Sequence, residues 1–402
     1  MTSATLSPAL SAIAIPASWT SWSHRPATAP AFAVDGAALR ITAGDAGHYG
    51  AWRREISGLV SGRTYRLSVR RRTQGLDRPG EQAVARLRWI AEDDGWLPDY
   101  LLPTGEADAA TTLALTIEAP PGTRGVIIDL SLRLTGGGTV WWDAIAFGEV
   151  PPPAPRLARI ATVRHRPRDT AGPAASVASF VRLFDALQPG AIDLVCLPEG
   201  ISVVGTGKTY ADVAEAIPGP STAALGSLAK RLRAHVCAGI YERVGERMYN
   251  TAVLIGRDGD LIGTYRKTHL PQNEADGGMT PGDSFPVYAT DIGRIGMMVC
   301  WDNQFPEPAR RLAANGAEII CMPIWGGFDL LTRARAQENH VHLISSSYDM
   351  RCMVVDPLGE VVGEADAQHP IAIAEVDLGK RRRQYWVGDF GGTVWAERRG
   401  DL

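Results

Sequence analysis

Two domains of different class are predicted, an all-β sandwich followed by an α/β domain, and three observations predict them. Strand-like alternation without helical periodicity fills the first 150 residues. A proline-rich run follows, and beyond it buried strands alternate with amphipathic helices. A chain of 402 residues exceeds what one hydrophobic core usually spans, so the length agrees with the division.

The strands of residues 1–150 show as period-two sets: Tyr65, Leu67 and Val69; Ala85, Leu87 and Trp89; Leu113, Leu115 and Ile117; Ile128, Leu130, Leu132 and Leu134. Turn-rich pieces such as APPGTRG and TGGG separate them. Residues 151–156, PPPAPR, form a stiff extended linker, because consecutive prolines continue neither a helix nor a central strand. Residues 157–402 make the second domain. LARIATV, IDLVCLP and HVCAGIY read as buried strands. Val177, Phe180, Val181, Phe184 and Leu187 share one helix face, and PSTAALGSLAKRLRA is a second helix with Ser221 as its N-cap. YNTAVLIG with DLIGTYRK, and CMVVDPLGEVVGEA, read as hairpins.

Composition excludes several function classes. A net charge of −3 gives no electrostatic case for nucleic acid or an anionic membrane, and the short run at Lys380 to Arg383 reads as a solvated surface or an interface ion-pair site. LSPALSAIAIP is too short and broken to span a bilayer. Cys196, Cys237, Cys321 and Cys352 sit inside apolar runs as small buried hydrophobes. Their spacing suggests no metal site, and a cytoplasmic location is expected.

Cys300 differs from those four. In RIGMMVCWDNQFPEPAR an apolar strand ends in a thiol and a helix start follows, where free N–H groups favour a thiolate and an oxyanion. IDLVCLPEG delivers Glu199 at a strand end, and DLIGTYRK delivers Lys267. A thiol, a carboxylate and an ammonium at strand termini are the parts of acyl transfer through a thioester. Taken singly, each is more often a surface group. Asp302 and Glu307 read as caps of the helix after Cys300. Arg333, Arg335, Glu338 and His340 read as structural or as a subunit contact.

Three motifs in order, LPEG, YRKTHL and CWDNQFPE, resemble the nitrilase or carbon–nitrogen hydrolase superfamily from about Leu157 onward. The resemblance implies a four-layer α-β-β-α sandwich, a Glu199–Lys267–Cys300 triad, no cofactor and no metal. It also implies an oxyanion hole from Lys267 and the Trp301 backbone N–H. Glu274 matches the family's second glutamate, and Asn250, Trp325, Gly326 and Gly327 match segments bordering the substrate pocket. The expected activity is hydrolysis of a primary amide or N-carbamoyl compound with release of ammonia. Trp-Asp after the cysteine fits the amidase and carbamoylase branches better than the nitrilases, which remain the nearer alternative. A homodimer or higher homo-oligomer is implied, with the aromatic tail Tyr385, Trp386, Val387, Phe390, Val394 and Trp395 at the interface.

The first domain ends in GGGTVWWDAIAFGEV, which resembles carbohydrate-binding jelly-roll modules of the galactose-binding-like type. Trp19, Trp22, Trp52, Trp89, Trp96, Trp141 and Trp142 all lie in it. Glycan stacking is one reading and core packing the other. A glycan-binding protein with the hydrolase as a mere scaffold is the competing class.

Overall fold

A computed structural model describes residues 11–12, 18–93, 97, 99–101, 110–381, 383–384 and 388–389. The chain divides into two compact units, residues 1–154 with 381–402 and residues 155–380. The sequence reading keeps the final segment with the second domain. In the structure Gly388–Asp389 contacts the strand Asp99–Leu101, which draws that segment into the first unit. The tail aromatics Tyr385 to Trp395 and Trp96 lie outside the described residues.

The first unit is built from two antiparallel sheets. One runs in the order Ala31–Asp35, Ala38–Ala43, Gly138–Glu149, Thr64–Gln74, Ala110–Glu118, with Ser11–Ala12 also paired to Gly138–Glu149. The other runs Thr20–Ser23, Gly50–Ser57, Thr123–Leu132, Ala83–Ala91, Asp99–Leu101. Alternation puts Leu39, Leu67 and Trp142 of the first sheet against Leu87, Ile128 and Leu130 of the second in one core. Leu134 departs from the expected set. The strand ends at Leu132, and Leu134 turns outward in the left-handed region with φ 50°.

In the second unit two six-stranded sheets face each other. The first has the order Leu261–Arg266, Arg247–Ile255, His235–Val244, Leu194–Cys196, Leu157–Val163, Ile371–Asp377. The second has Val287–Thr290, Gly293–Met297, Ile319–Pro323, His342–Ser346, Cys352–Val355, Val361–Ala365. In each, three adjacent strands run parallel and the flanking ones antiparallel. Ile160, Leu194 and Leu254 of one sheet pack against Ile295, Ile320 and Leu343 of the other. Helices Pro173–Arg182 and Pro220–Leu232 cover the opposite face of the first sheet through Phe180, Leu225 and Leu228. Ala309 and Leu312 of helix Pro306–Ala314, with Ala336 of helix Asp329–Asn339, join the core of the second sheet.

Two local differences have physical causes. Ser221 lies inside its helix, bonding Glu215 through both its backbone N–H and its hydroxyl. Gly219 is the N-cap, because Pro220 takes the first helical position. After Cys300 the chain makes a 3-10 turn, Cys300–Gln304, and the α-helix begins only at Pro306. Phe305 is extended, φ −112° and ψ 136°, as a residue before proline prefers. Among the described residues no helix is long and apolar enough to cross a membrane.

Candidate active site

The carboxyl ends of the parallel strands converge on one cavity of about 900 Å³. Glu199 follows the strand Leu194–Cys196, Cys300 follows Gly293–Met297, and Trp325 with Gly326 follows Ile319–Pro323. All four border the cavity. Ligand crevices form at strand carboxyl ends in α/β sheets, where loops fan out and leave space. Gly239 lets the next strand approach the Glu199 backbone: a Cβ there would lie 2.7 Å from the Glu199 Cα.

The cavity wall carries a buried polar knot, of which Glu199 and Glu274 line the cavity. Lys267 Nζ donates to Glu274 Oε1 at 2.7 Å and to Glu199 Oε1 at 3.2 Å. Asn250 Nδ2 donates to the same two oxygens, at 3.2 and 2.7 Å respectively. Glu199, Asn250, Lys267 and Glu274 are all buried. Burial alone would lower the Lys267 amine, but the Glu199 and Glu274 carboxylates outweigh it and hold the amine well above its usual range. Burial, reinforced by Glu199, raises the Glu274 carboxyl despite its Lys267 partner. Among the described residues Asn250 Oδ1 and Glu274 Oε2 find no hydrogen-bond partner.

Cys300 is the partly accessible thiol among five; the other four are buried. Its φ of 45° is left-handed, a conformation that costs a non-glycine residue on the order of 1 kcal/mol or more and concentrates at functional sites. Burial and the neighbouring Glu199 carboxylate push the thiol up, so at rest it is protonated. Its sulfur makes a long 4.0 Å contact to the Gly326 carbonyl.

Asp302 binds the cysteine turn to the lysine strand. Its Oδ2 accepts from the Val299 N–H at 2.9 Å and the Tyr265 hydroxyl at 2.8 Å. Its Oδ1 accepts from the His269 N–H at 3.0 Å and the Thr268 hydroxyl at 3.0 Å. Arg335 does similar work, with Nη2 donating to the Asn303 carbonyl at 3.2 Å. Glu307 is exposed in the first turn of its helix.

Most of the expected residues meet. Glu199, Glu274, Cys300, Trp301, Trp325 and Gly326 line the cavity. Lys267 and Asn250 stand behind the carboxylates, and Gly327 lies near Ile324 and Met350, away from the cavity wall. Sequence reasoning missed Tyr210 and Tyr241, a ring pair 4.6 Å apart on the wall, and Tyr348, whose hydroxyl donates to the Glu199 carbonyl at 2.8 Å. A lone tyrosine in an apolar strand carries no signal of such a place. It also missed that Cys196, Cys237 and Cys321 bring their sulfurs within 4.8 Å of one another. They come from three strands, in a fully buried aliphatic setting.

The carbon–nitrogen hydrolase family profile matches residues 158–384, more than half of the chain. The chain belongs to the carbon–nitrogen hydrolase family. This hydrolase is 33% identical to human omega-amidase NIT2 over 230 residues, covering 50% of the chain and 82% of that protein. It is 34% identical to the chloroplastic omega-amidase of Arabidopsis thaliana over 245 residues, 52% of the chain, and spans 64% of that relative's length. The crystal structure of Saccharomyces cerevisiae Nit3, a member of branch 10 of the nitrilase superfamily, is 26% identical with a TM-score of 0.48. That match covers 55% of this chain and 90% of Nit3.

Proposed function

We propose that this hydrolase cleaves a primary amide or N-carbamoyl group and releases ammonia, through a thioester on Cys300. One observation carries the reading: a buried ammonium bridges two buried carboxylates beside the single accessible thiol, at the bottom of a cavity.

An amide carbonyl is a poor electrophile and needs a strong nucleophile, a base and an oxyanion stabiliser together. Because the resting Cys300 keeps its proton, attack requires a base at the sulfur, and Glu199 is the adjacent carboxylate. The proton it takes goes to the departing ammonia. Glu199 then activates water against the thioester, returning free acid and thiol. Lys267, held charged by its two partners, and the Trp301 N–H stabilise the tetrahedral oxyanion. Glu274 and Asn250 hold the lysine and the base in register. The named omega-amidases among the relatives favour an amide over a nitrile.

The test is ammonia release from matched amides, N-carbamoyl compounds and nitriles. Activity on amides that Cys300→Ala abolishes, with the fold unchanged by circular dichroism, supports the reading. A preference for nitriles would assign the nitrilase alternative, and an active alanine variant would overturn the thioester route.

For the second unit we read the layers as the four-layer α-β-β-α sandwich of the family, and for the first unit a galactose-binding-like jelly roll. Of its tryptophans, Trp19, Trp52, Trp89 and Trp142 are buried, which supports core packing over sugar stacking for these four. Trp22 stands over Arg53 at 4.1 Å and remains the aromatic to test on a glycan array. A homo-oligomer is proposed too. Exposed Phe328 and Leu330 are apolar groups that a subunit contact would cover, and light scattering tests it.

A further inference from the structure

Three cysteines meet between the two sheets of the second unit. Cys196 and Cys237 are register partners on the parallel strands Leu194–Cys196 and His235–Val244, and Cys321 reaches them from Ile319–Pro323 of the facing sheet. Their sulfurs all lie within 4.8 Å of one another. All three residues are fully buried, all three thiols are free, and the catalytic Cys300 is not part of the group.

A buried cysteine is ordinarily a small hydrophobe and needs no further reading. Three sulfurs turned toward one point from three strands form a ligand set. The Cys196 and Cys237 thiols donate to the Cys321 sulfur and draw that thiol down, while burial pushes the other two up. The surrounding packing is apolar, with Ile160, Leu254, Ile320 and Ile344 in the same core. The Ser346 hydroxyl meets Cys196 at the backbone carbonyl, 2.7 Å away, and is committed there. Among the described residues no histidine, carboxylate or fourth cysteine joins the group.

Geometry and charge together select what such a set would hold. A three-coordinate centre with bonds of about 2.3 Å, the zinc–thiolate length, keeps its sulfurs about 4 Å apart or less, close to the separation found here. Zinc seeks a fourth ligand, and on three thiolates it leaves one negative charge uncompensated; copper(I) leaves two. Net charge among aliphatic side chains is costly, because nothing there replaces its hydration. A trivalent centre on three thiolates is neutral.

We infer that Cys196, Cys237 and Cys321 form a capture site for trivalent arsenic, taken up as arsenite. Arsenous acid exchanges its three hydroxyls for the three sulfurs. Three As–S bonds form and three As–O bonds break, and each thiol proton leaves with a hydroxyl as water. Arsenic stays trivalent throughout, so no oxidant or reductant is needed. The strands that carry Cys196 and Cys321 lead directly into Glu199 and into Trp325 with Gly326, so a filled site ties together the two sheets beneath the catalytic cavity. The sulfurs are sealed, so uptake waits on opening of the sheets and is slow.

The experiment offers sodium arsenite to the full-length Cys300→Ala protein for hours, a few degrees below its thermal transition, with zinc and anaerobic copper(I) as parallel arms. Cys352, the remaining thiol, is buried apart from the trio. Native mass spectrometry reads how many thiols react: about 72 Da is gained when one arsenic replaces three protons, about 90 Da on two thiols and about 108 Da on one. One arsenic per chain with the three-thiol mass is expected. The second unit's transition should rise by about 5–10 °C with arsenite at 100 times its Kd. Cys196→Ala, Cys237→Ala and Cys321→Ala, each added to Cys300→Ala, should abolish the three-thiol species and weaken arsenic binding about 100-fold, since each removes one arm of a chelate. Where such a variant does not fold, X-ray absorption on the loaded Cys300→Ala protein decides, three sulfur neighbours upholding the site and fewer overturning it. Absence of bound arsenic, a one- or two-thiol mass, or tighter binding of zinc or copper(I) than of arsenite overturns the inference.

Discussion

The Asp129 cluster of the first unit and the Lys267 cluster of the second each bury a charge among groups of opposite sign, and the two are built in opposite ways. In the first unit Asp129 is the buried anion. Arg53, Arg86 and Arg88 reach it at 2.8, 2.9 and 2.8 Å across neighbouring strands, and each arginine side chain is about a quarter exposed. Both Asp129 oxygens are bonded. In the second unit Lys267 is the buried cation, its two carboxylate partners are nearly as buried at the cavity wall, and among the described residues Asn250 Oδ1 and Glu274 Oε2 find no hydrogen-bond partner. The first cluster can relax into solvent, and its geometry asks for nothing more. The second cannot relax, and it keeps unspent polar atoms beside a cavity. A fully satisfied, solvent-edged ion cluster reads as architecture; a buried and under-satisfied one reads as chemistry.

Removing the central charge of each cluster should therefore have very different consequences. Lys267→Met leaves two carboxylates buried without a cation, a change that typically costs about 3–5 kcal/mol. It would also remove the oxyanion donor proposed above, whose loss typically costs about 10²–10³ in kcat. Asp129→Asn leaves three arginines that can turn to water, and should cost only about 1–2 kcal/mol with turnover intact. Calorimetry and ammonia assays on both variants make the comparison. Equal destabilisation would show that the exposed edge of the Asp129 cluster gives no relief.

A thiol probe sharpens the contrast within the second unit. Iodoacetamide should modify Cys300 first, because it is the partly accessible thiol while Cys196, Cys237, Cys321 and Cys352 are buried out of the reagent's reach. Peptide mapping showing equal labelling of the buried thiols would contradict the sealed core.

Much of this was legible in the sequence. The three strand-end residues announce themselves because a polar group closing an apolar run must emerge at a sheet edge, and Glu199, Lys267 and Cys300 do. Both hairpins and both helix faces follow from periodicity and Gly-containing turns. What stayed hidden depends on tertiary approach. Asn250 is named by its matched segment, but its bonds to both carboxylates, from mid-strand to residues 51 and 24 positions away, follow from tertiary approach. Asp302 reads as a helix cap from its spacing, and it does accept the Val299 N–H. Its bonds to Tyr265, Thr268 and His269 come from a strand 37 residues earlier in the case of Tyr265. Cys196, Cys237 and Cys321 meet because parallel strands put them in register and the second sheet closes over them. No spacing rule carries that.

The pH dependence of the two units should have opposite signs. Burial alone would raise Asp129, but the arginine hydrogen bonds and charges prevail and hold it below the ordinary 3.8. A carboxyl depressed on folding contributes stability above its unfolded value and loses it as pH falls through the folded one. The gap between wild type and Asp129→Asn should thus be full at neutral pH and close below about pH 4.

Glu274 runs the other way. Its carboxyl is raised above 4.5, chiefly by burial. A carboxyl raised on folding contributes its stability below the unfolded value and loses it as pH rises through the folded one. Glutamine mimics the protonated acid in shape and cannot ionise. Glu274→Gln should match the wild type near pH 4 and gain on it as pH rises, by about 2–4 °C in the second unit's transition per kcal/mol. Catalysis should fall over the same range, since Lys267 loses a charged partner. Scanning calorimetry between pH 4 and pH 8 reads both slopes in one series. A glutamine variant that instead loses stability with rising pH would show that the Lys267 attraction outweighs burial at Glu274, so that both clusters obey the same electrostatics.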